Sequence, residues 1–153
     1  MPVKTLREFL DQRRVMYSSI PHRTAFTSYS TAKAAHIDKS EFAKPVMVKV
    51  DGTLAMVVIP ADERVDLDKL RERTRAKRVD LATEEEFAPH FYDCEAGAMP
   101  ALGNLYGVPV ILSAKLAKRA RIAFNGGTHS ELVQLSFNTY EYLTSPHAVT
   151  YAI

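Results

Sequence analysis

The chain has 153 residues, 46% of them hydrophobic, with a formal charge of +2 and one cysteine, Cys94. A chain of this length can close one core and bury roughly 68–70% of the surface its unfolded form exposes, so a single domain over residues 1–153 is expected. One cysteine excludes an internal disulfide, and Asp51-Gly52 interrupts the longest apolar candidate before it reaches the roughly twenty residues that cross a bilayer. The charged start, with Lys4 and Arg7, lacks the apolar stretch of a secretory signal, so a cytoplasmic protein without a membrane partner is expected.

Thr5-Leu6-Arg7-Glu8 has the spacing of a capping box and predicts a helix beginning there, with Leu6, Phe9 and Leu10 inward. Tyr17 to Ile20 reads as a strand before Pro21, and a short helix follows Thr27, where Ala32, Ala34 and Ala35 allow close packing on a sheet. Val46, Val48 and Val50 alternate with Met47 and Lys49. Asp51-Gly52 then supplies turn chemistry and Leu54 to Ile59 returns, a hairpin expected at the centre of a sheet. Asp66 is placed to cap a helix containing Leu67 and Leu70; Val79 to Leu81 resumes a strand; Thr83 to Glu86 repeats the capping-box spacing. Val108 to Leu112 reads as a strand in which Pro109 suggests an edge or a bulge. Ile122 to Phe124 and Glu131 to Leu135 form a pair about Gly126-Gly127, followed by a helix over Asn138 to Leu143 and a last strand over Ala148 to Ile153. Hairpins set between short helices argue for a mixed sheet in an α+β domain.

The most informative stretch is Asp93 to Gly103, too irregular for a helix or a ladder strand. Gly97 and Gly103 permit conformations and close approaches denied to other residues, and Pro100 stiffens the span, so backbone groups can be presented in a fixed pattern. Conventional catalytic signatures are missing. Cys94 stands between Asp93 and Glu95, negative neighbours that disfavour a thiolate, so a cysteine hydrolase paired with His22, His36, His90, His129 or His147 is the weaker idea. One cysteine and scattered histidines give no zinc spacing, and neither a Walker loop nor a dinucleotide fingerprint occurs, so neither metal nor cofactor is expected. Two basic runs, Arg71 to Arg78 (with Arg73, Arg75 and Lys77) and Lys115 to Arg121 (with Lys118 and Arg119), are candidates for phosphate contact or simply solvated surface.

Five segments in order carry a resemblance: Lys44 ahead of the valine-rich strand, Val58 to Asp62, Leu81 to Glu86, the Gly97–Gly103 loop with Tyr106 to Val110 behind it, and Gly126-Gly127-Thr128-His129. Together they resemble the YbaK and prolyl-tRNA-synthetase-associated (ProX-type) editing family, over nearly the whole chain. The resemblance implies a curved, barrel-like mixed sheet flanked by helices. It implies a substrate too, an amino acid wrongly esterified to the terminal adenosine of a tRNA, with alanine on proline tRNA first, and a synthetase as a possible partner. An aminoacyl ester is labile enough to be split by a site that fixes the carbonyl and places a water. Lys44, Gly97 and Ala98 are the expected catalytic groups: a cation near the developing oxyanion and backbone amides that donate to it. Met99, Pro100, Ala101, Gly103, His129, Thr27 and His22 are expected around the substrate, and Arg73, Arg75, Lys77, Lys115, Lys118 and Arg119 on tRNA. Many relatives carry proline where Ala101 stands, which bears on pocket shape. The competing reading is a non-catalytic module of this fold that binds RNA or a synthetase.

Overall fold

The computed structural model describes residues 1–144 and the backbone of 149–151. Five helices are described: α1 (Lys4–Gln12), α2 (Ser28–Ala34), α3 (Leu67–Thr74), α4 (Glu84–Phe87) and α5 (Phe137–Thr144). The strands are β1 (Ser18–Pro21), β2 (Ala43–Val50), β3 (Thr53–Pro60), β4 (Val79–Leu81), β5 (Val110–Leu112), β6 (Arg121–Asn125), β7 (Glu131–Ser136) and β8 (Val149–Tyr151). They form a mixed five-stranded sheet in the order β4-β2-β3-β5-β8 and an antiparallel one in the order β1-β7-β6. The α+β class holds. The expected barrel does not: among the described residues the two sheets meet at a single parallel bridge, Phe42 with Ala123, and do not close.

Local chemistry explains most boundaries. Val50 pairs with Thr53, leaving Asp51 (φ 49°) and Gly52 (φ 82°) as a two-residue turn with both residues left-handed, the geometry that suits the twist of a hairpin. The Asp51 carboxylate also accepts from the Lys77 and Arg78 amides, pinning the turn to the approach to β4. Thr27 and Thr83 close capping boxes with Ser30 and Glu86, and Asp66 accepts from the Lys69 amide. The Thr5–Glu8 box does not form. The helix starts one residue earlier, after Val3, and the Thr5 hydroxyl turns outward toward the Tyr92 hydroxyl. Pro109 is neither at an edge nor in a bulge: it stops just short of β5, which is flanked by β3 and β8, and its carbonyl accepts from the Met56 amide. Residues 148, 152 and 153 of the expected last strand, and His147, lie outside the described residues.

The β2–β3 ladder separates two cores. Ala43, Met47, Met56 and Val58 face a large cluster with Leu6, Leu10, Phe124 and Tyr140; Val48, Ala55, Val57 and Ile59 face a smaller one with Leu70 of α3. Each fully buried leucine here contributes about 1.5–3 kcal/mol. A third cluster, Phe42, Ala61, Ala123, Leu132 and Ala32 of α2, covers the junction of the two sheets. That junction positions the site.

Candidate active site at the parting of the sheets

Past the Phe42–Ala123 bridge, β2 pairs with β3 and β4 while β6 pairs with β7, so the sheets part. Side chains alternate along a strand; Lys44 and Asn125, each two residues beyond the bridge, return to the face held by Phe42 and Ala123. Lys44 is half-buried, and its ammonium donates to the Glu63 carbonyl at 2.6 Å. Burial pushes its pKa down, nearby Arg64 pushes the same way, and Asp62 and Glu63 oppose them. Among the described residues no hydrogen bond joins Lys44 to the glycine loop.

The turn after β6 brings the loop to the same end. The Glu95 amide donates to the Gly127 carbonyl (2.8 Å), and the Glu95 carboxylate accepts from the His129 amide (2.7 Å). His129 Nε2 lies 2.6 Å from the Ala96 carbonyl, which can only accept, so this nitrogen carries the proton and Nδ1 of the neutral ring keeps its lone pair. The Phe26 ring packs tilted on the imidazole at 4.8 Å, and the Ala25 amide donates to the His129 carbonyl. The ring is thereby held between Phe26 and the Ala96 carbonyl, and its backbone by Ala25. Gly97 (φ 81°) passes close to it: a Cβ on Gly97 would sit 3.6 Å from His129 Cε1, and the Gly97 amide has no partner among the described residues.

His22, expected at the site, continues the β1–β7 ladder through its amide to Ser130, on the face of the third cluster shared with Ile20. Its Nδ1 donates to the Arg23 carbonyl (2.7 Å), which leaves Nε2 as a buried acceptor without a partner. Asn125 is 4% exposed and its Oδ1 is likewise unpartnered. An unpaired buried acceptor costs about 1–3 kcal/mol, and Asp93 Oδ2 and Asn104 Oδ1 are buried in the same state. Asn125 is the residue sequence reasoning missed. Its signal was a polar side chain closing an apolar strand directly before Gly126-Gly127.

Other expected residues lie elsewhere. The Ala98 amide is taken by the Glu95 carbonyl, and Ala98 and Ala101 are fully buried, so neither reaches a ligand in this conformation. Met99 and Ala101 belong to the large core, and the Ala101 carbonyl accepts from the buried Tyr140 hydroxyl at 2.6 Å. Pro100 is buried with them. Gly103 serves packing, because a Cβ there would meet the Val108 carbonyl at 2.7 Å. The Thr27 hydroxyl is committed to capping α2. Cys94 packs under Tyr106, and burial pushes its thiol up to about 11, against nucleophilic use. Asp93 accepts from the Tyr106 hydroxyl; its desolvation is outweighed by hydrogen bonds from Thr5, Tyr106 and Cys94, which hold its pKa down.

The basic runs also divide. Lys115 pairs with Glu63, while Arg119 and Arg121 share Glu41, acids distant in sequence that the fold brings to a run without any of its own. Arg73, Arg75, Lys77 and Lys118 are exposed, with no acid bonded to them among the described residues. No group of three or more His, Cys, Asp or Glu side chains placed to hold a metal occurs among the described residues, and no described helix is long and apolar enough to cross a membrane.

A family model described as an aminoacyl-tRNA editing domain matches residues 22–142. A proline–tRNA ligase of Streptomyces coelicolor is 34% identical over 68 residues, 44% of this chain and 12% of the ligase, so the match spans a small part of that enzyme. The fold is similar to that of a hypothetical protein of known crystal structure (TM-score 0.83, 20% identity, 97% of this chain and 98% of that one). It is similar also to a protein proposed as a trans-editing enzyme for prolyl tRNA synthetase (TM-score 0.78, 19% identity, 97% and 94% covered).

Proposed function

Since the chain belongs to the aminoacyl-tRNA editing domain family, we propose that it is a trans-acting deacylase that hydrolyses the ester of a mischarged tRNA, with alanine on proline tRNA as the first candidate. The observation that carries this reading is the close passage of Gly97, whose amide has no partner among the described residues, beside an imidazole whose Nε2 is tied to the Ala96 carbonyl. Lys44 and Asn125 each lie two residues beyond the bridge that joins the sheets, Lys44 on β2 and Asn125 at the end of β6.

In this reaction water adds to the ester carbonyl, the oxygen becomes an oxyanion, and the bond to the ribose oxygen then breaks to give free amino acid and a tRNA with its terminal hydroxyl restored. The Gly97 amide donates to the oxyanion and His129 Nδ1 orients the water. Lys44, once its ammonium leaves the Glu63 carbonyl, supplies positive charge where negative charge develops. Asn125 Oδ1 accepts from a ribose hydroxyl or the substrate ammonium. Selectivity then follows from size. A synthetase pocket cannot strongly reject an amino acid smaller by a methylene or two, a difference of about 1–3 kcal/mol, so a second hydrolytic sieve corrects the error.

The test is a panel of tRNAs charged with alanine, serine, cysteine, threonine and proline, with ester loss followed for the protein and for Lys44→Ala. Rapid loss of one small amino acid, abolished in the variant, is the expected result; binding without turnover on every member would replace the enzyme with a binding module of the same fold, and normal turnover by Lys44→Ala would remove Lys44 from the chemistry.

A further inference from the structure

The outer side of α2 and the segment before it carry a surface that the deacylase chemistry does not use. Phe26 is 73% exposed and Tyr29 54%, unusual for rings of this size. Tyr29 and Lys33 are four residues apart and share one helical face, while Thr31 and Ala32 take the inward side. Two open grooves run along this surface. One, about 550 Å³, is lined by residues 23–27 and Ser30; the other, about 390 Å³, by Tyr29, Lys33, Ile37, Asp38 and Lys39. The Lys39 ammonium sits 4.1 Å from the centroid of the Tyr29 ring, over one face. Asp38 is the one acid in either lining, and it is engaged with the Ser40 amide and hydroxyl.

We propose that this surface receives the unpaired nucleotides at the 3′ end of the tRNA, with bases stacking on Phe26 and Tyr29 and phosphates meeting Arg23, Lys33 and Lys39. Aromatic rings interleaved with cations are the physical requirement for holding single-stranded nucleic acid, since every base offers a π-face and every linkage a negative charge. Continuity with the site gives the direction. Phe26 touches the His129 imidazole, so a strand laid along α2 toward Phe26 delivers its terminal ribose ester to the parting of the sheets. Arg119, Arg121 and Lys115 are less suited to this end of the RNA, because Glu41 and Glu63 already neutralise them.

The inference rests on the deacylase reading, and the experiment separates the two. Tyr29→Ala and Lys33→Ala, which leave the Gly97–His129 contact intact, are compared with the unaltered protein in three assays: hydrolysis of alanyl-tRNA, hydrolysis of the alanyl ester of adenosine alone, and fluorescence-anisotropy binding of a single-stranded RNA oligonucleotide. Tyr29→Ala is expected to weaken oligonucleotide binding and raise KM on the charged tRNA, each by roughly tenfold, with kcat and hydrolysis of the adenosine ester unchanged. Lys33→Ala is expected to flatten the slope of log affinity against log salt by about 0.7, one single-strand phosphate. Unchanged KM and oligonucleotide affinity in both variants of an active protein would overturn the inference and spare the deacylase. No ester hydrolysis by the unaltered protein, with oligonucleotide binding still weakened by Tyr29→Ala, would overturn the deacylase and keep the surface. A thermal midpoint equal to that of the unaltered protein guards against loss by unfolding.

Discussion

The two parts of the loop between Glu95 and Gly103 have opposite employment. Residues 95–97 are exposed and tied to the β6–β7 turn and His129; residues 98–103 are buried, with side chains and the Ala101 carbonyl absorbed by the large core and Tyr140. Each half has a glycine, for different reasons. Gly97 is needed for its left-handed backbone beside the imidazole, Gly103 because no Cβ fits against the Val108 carbonyl. The rigid half holds the exposed half in place, which is how a short surface segment can keep an amide aimed without a regular ladder.

The largest expected effect tests whether the exposed half works with its cationic neighbour. Lys44→Met should lower kcat for deacylation by about a hundredfold or more, the scale of losing one oxyanion-stabilising group. Its thermal midpoint should stay within a few degrees, because burial already disfavours the ammonium. That depressed pKa means the fold gains from removing this charge at any pH below the lowered value, and gains less as pH rises through it toward the ordinary lysine range; a stability difference between variant and parent that grows with pH instead would contradict burial as the cause of the shift.

Gly103→Ala should come next. Forcing a methyl against backbone costs about 1–3 kcal/mol, which calorimetry should read as a fall of roughly 2–12 °C in a chain of this length, while kcat below the transition stays near that of the parent. Gly97→Ala should do the reverse: a left-handed alanine costs about 1–2 kcal/mol of stability, but kcat should drop by roughly tenfold as the amide is re-aimed. If both variants lose stability and activity in parallel, the division of the loop is wrong. The smallest effect concerns Cys94. With its thiol pushed up to about 11, iodoacetamide at pH 8 should label it slowly, and Cys94→Ser should deacylate at the parent rate; full inactivation on stoichiometric labelling would return the thiol to the chemistry.

Much of the architecture was legible because it is local. The Asp51-Gly52 turn, the helix after Thr27, the caps at Asp66 and Thr83, and the alternation in β2 each need only neighbouring residues to be specified, and each is present. The capping box at Thr5 failed where a distant partner, Tyr92, offered the hydroxyl another contact. Of the candidate site, Lys44, Gly97 and His129 were legible as residue types in a family order, and His22 as a histidine beside the first strand. Their company was not: Met99 and Ala101 could not be assigned to core, nor Asn125 to the opening, without knowing which strands part after Phe42 and Ala123.

Sequence alone therefore determined the elements, the hairpin and the editing resemblance, since periodicity, turn chemistry and motif order reside in the chain itself. Tertiary structure decided which part of the glycine loop faces outward, which cations are already neutralised, and that Phe26, beside His129, and Tyr29 of α2 are turned to solvent. Those outcomes depend on contacts between residues far apart in the chain, such as Arg121 with Glu41 and Phe26 with His129, and pairings at such distances are selected by the packing of the whole fold.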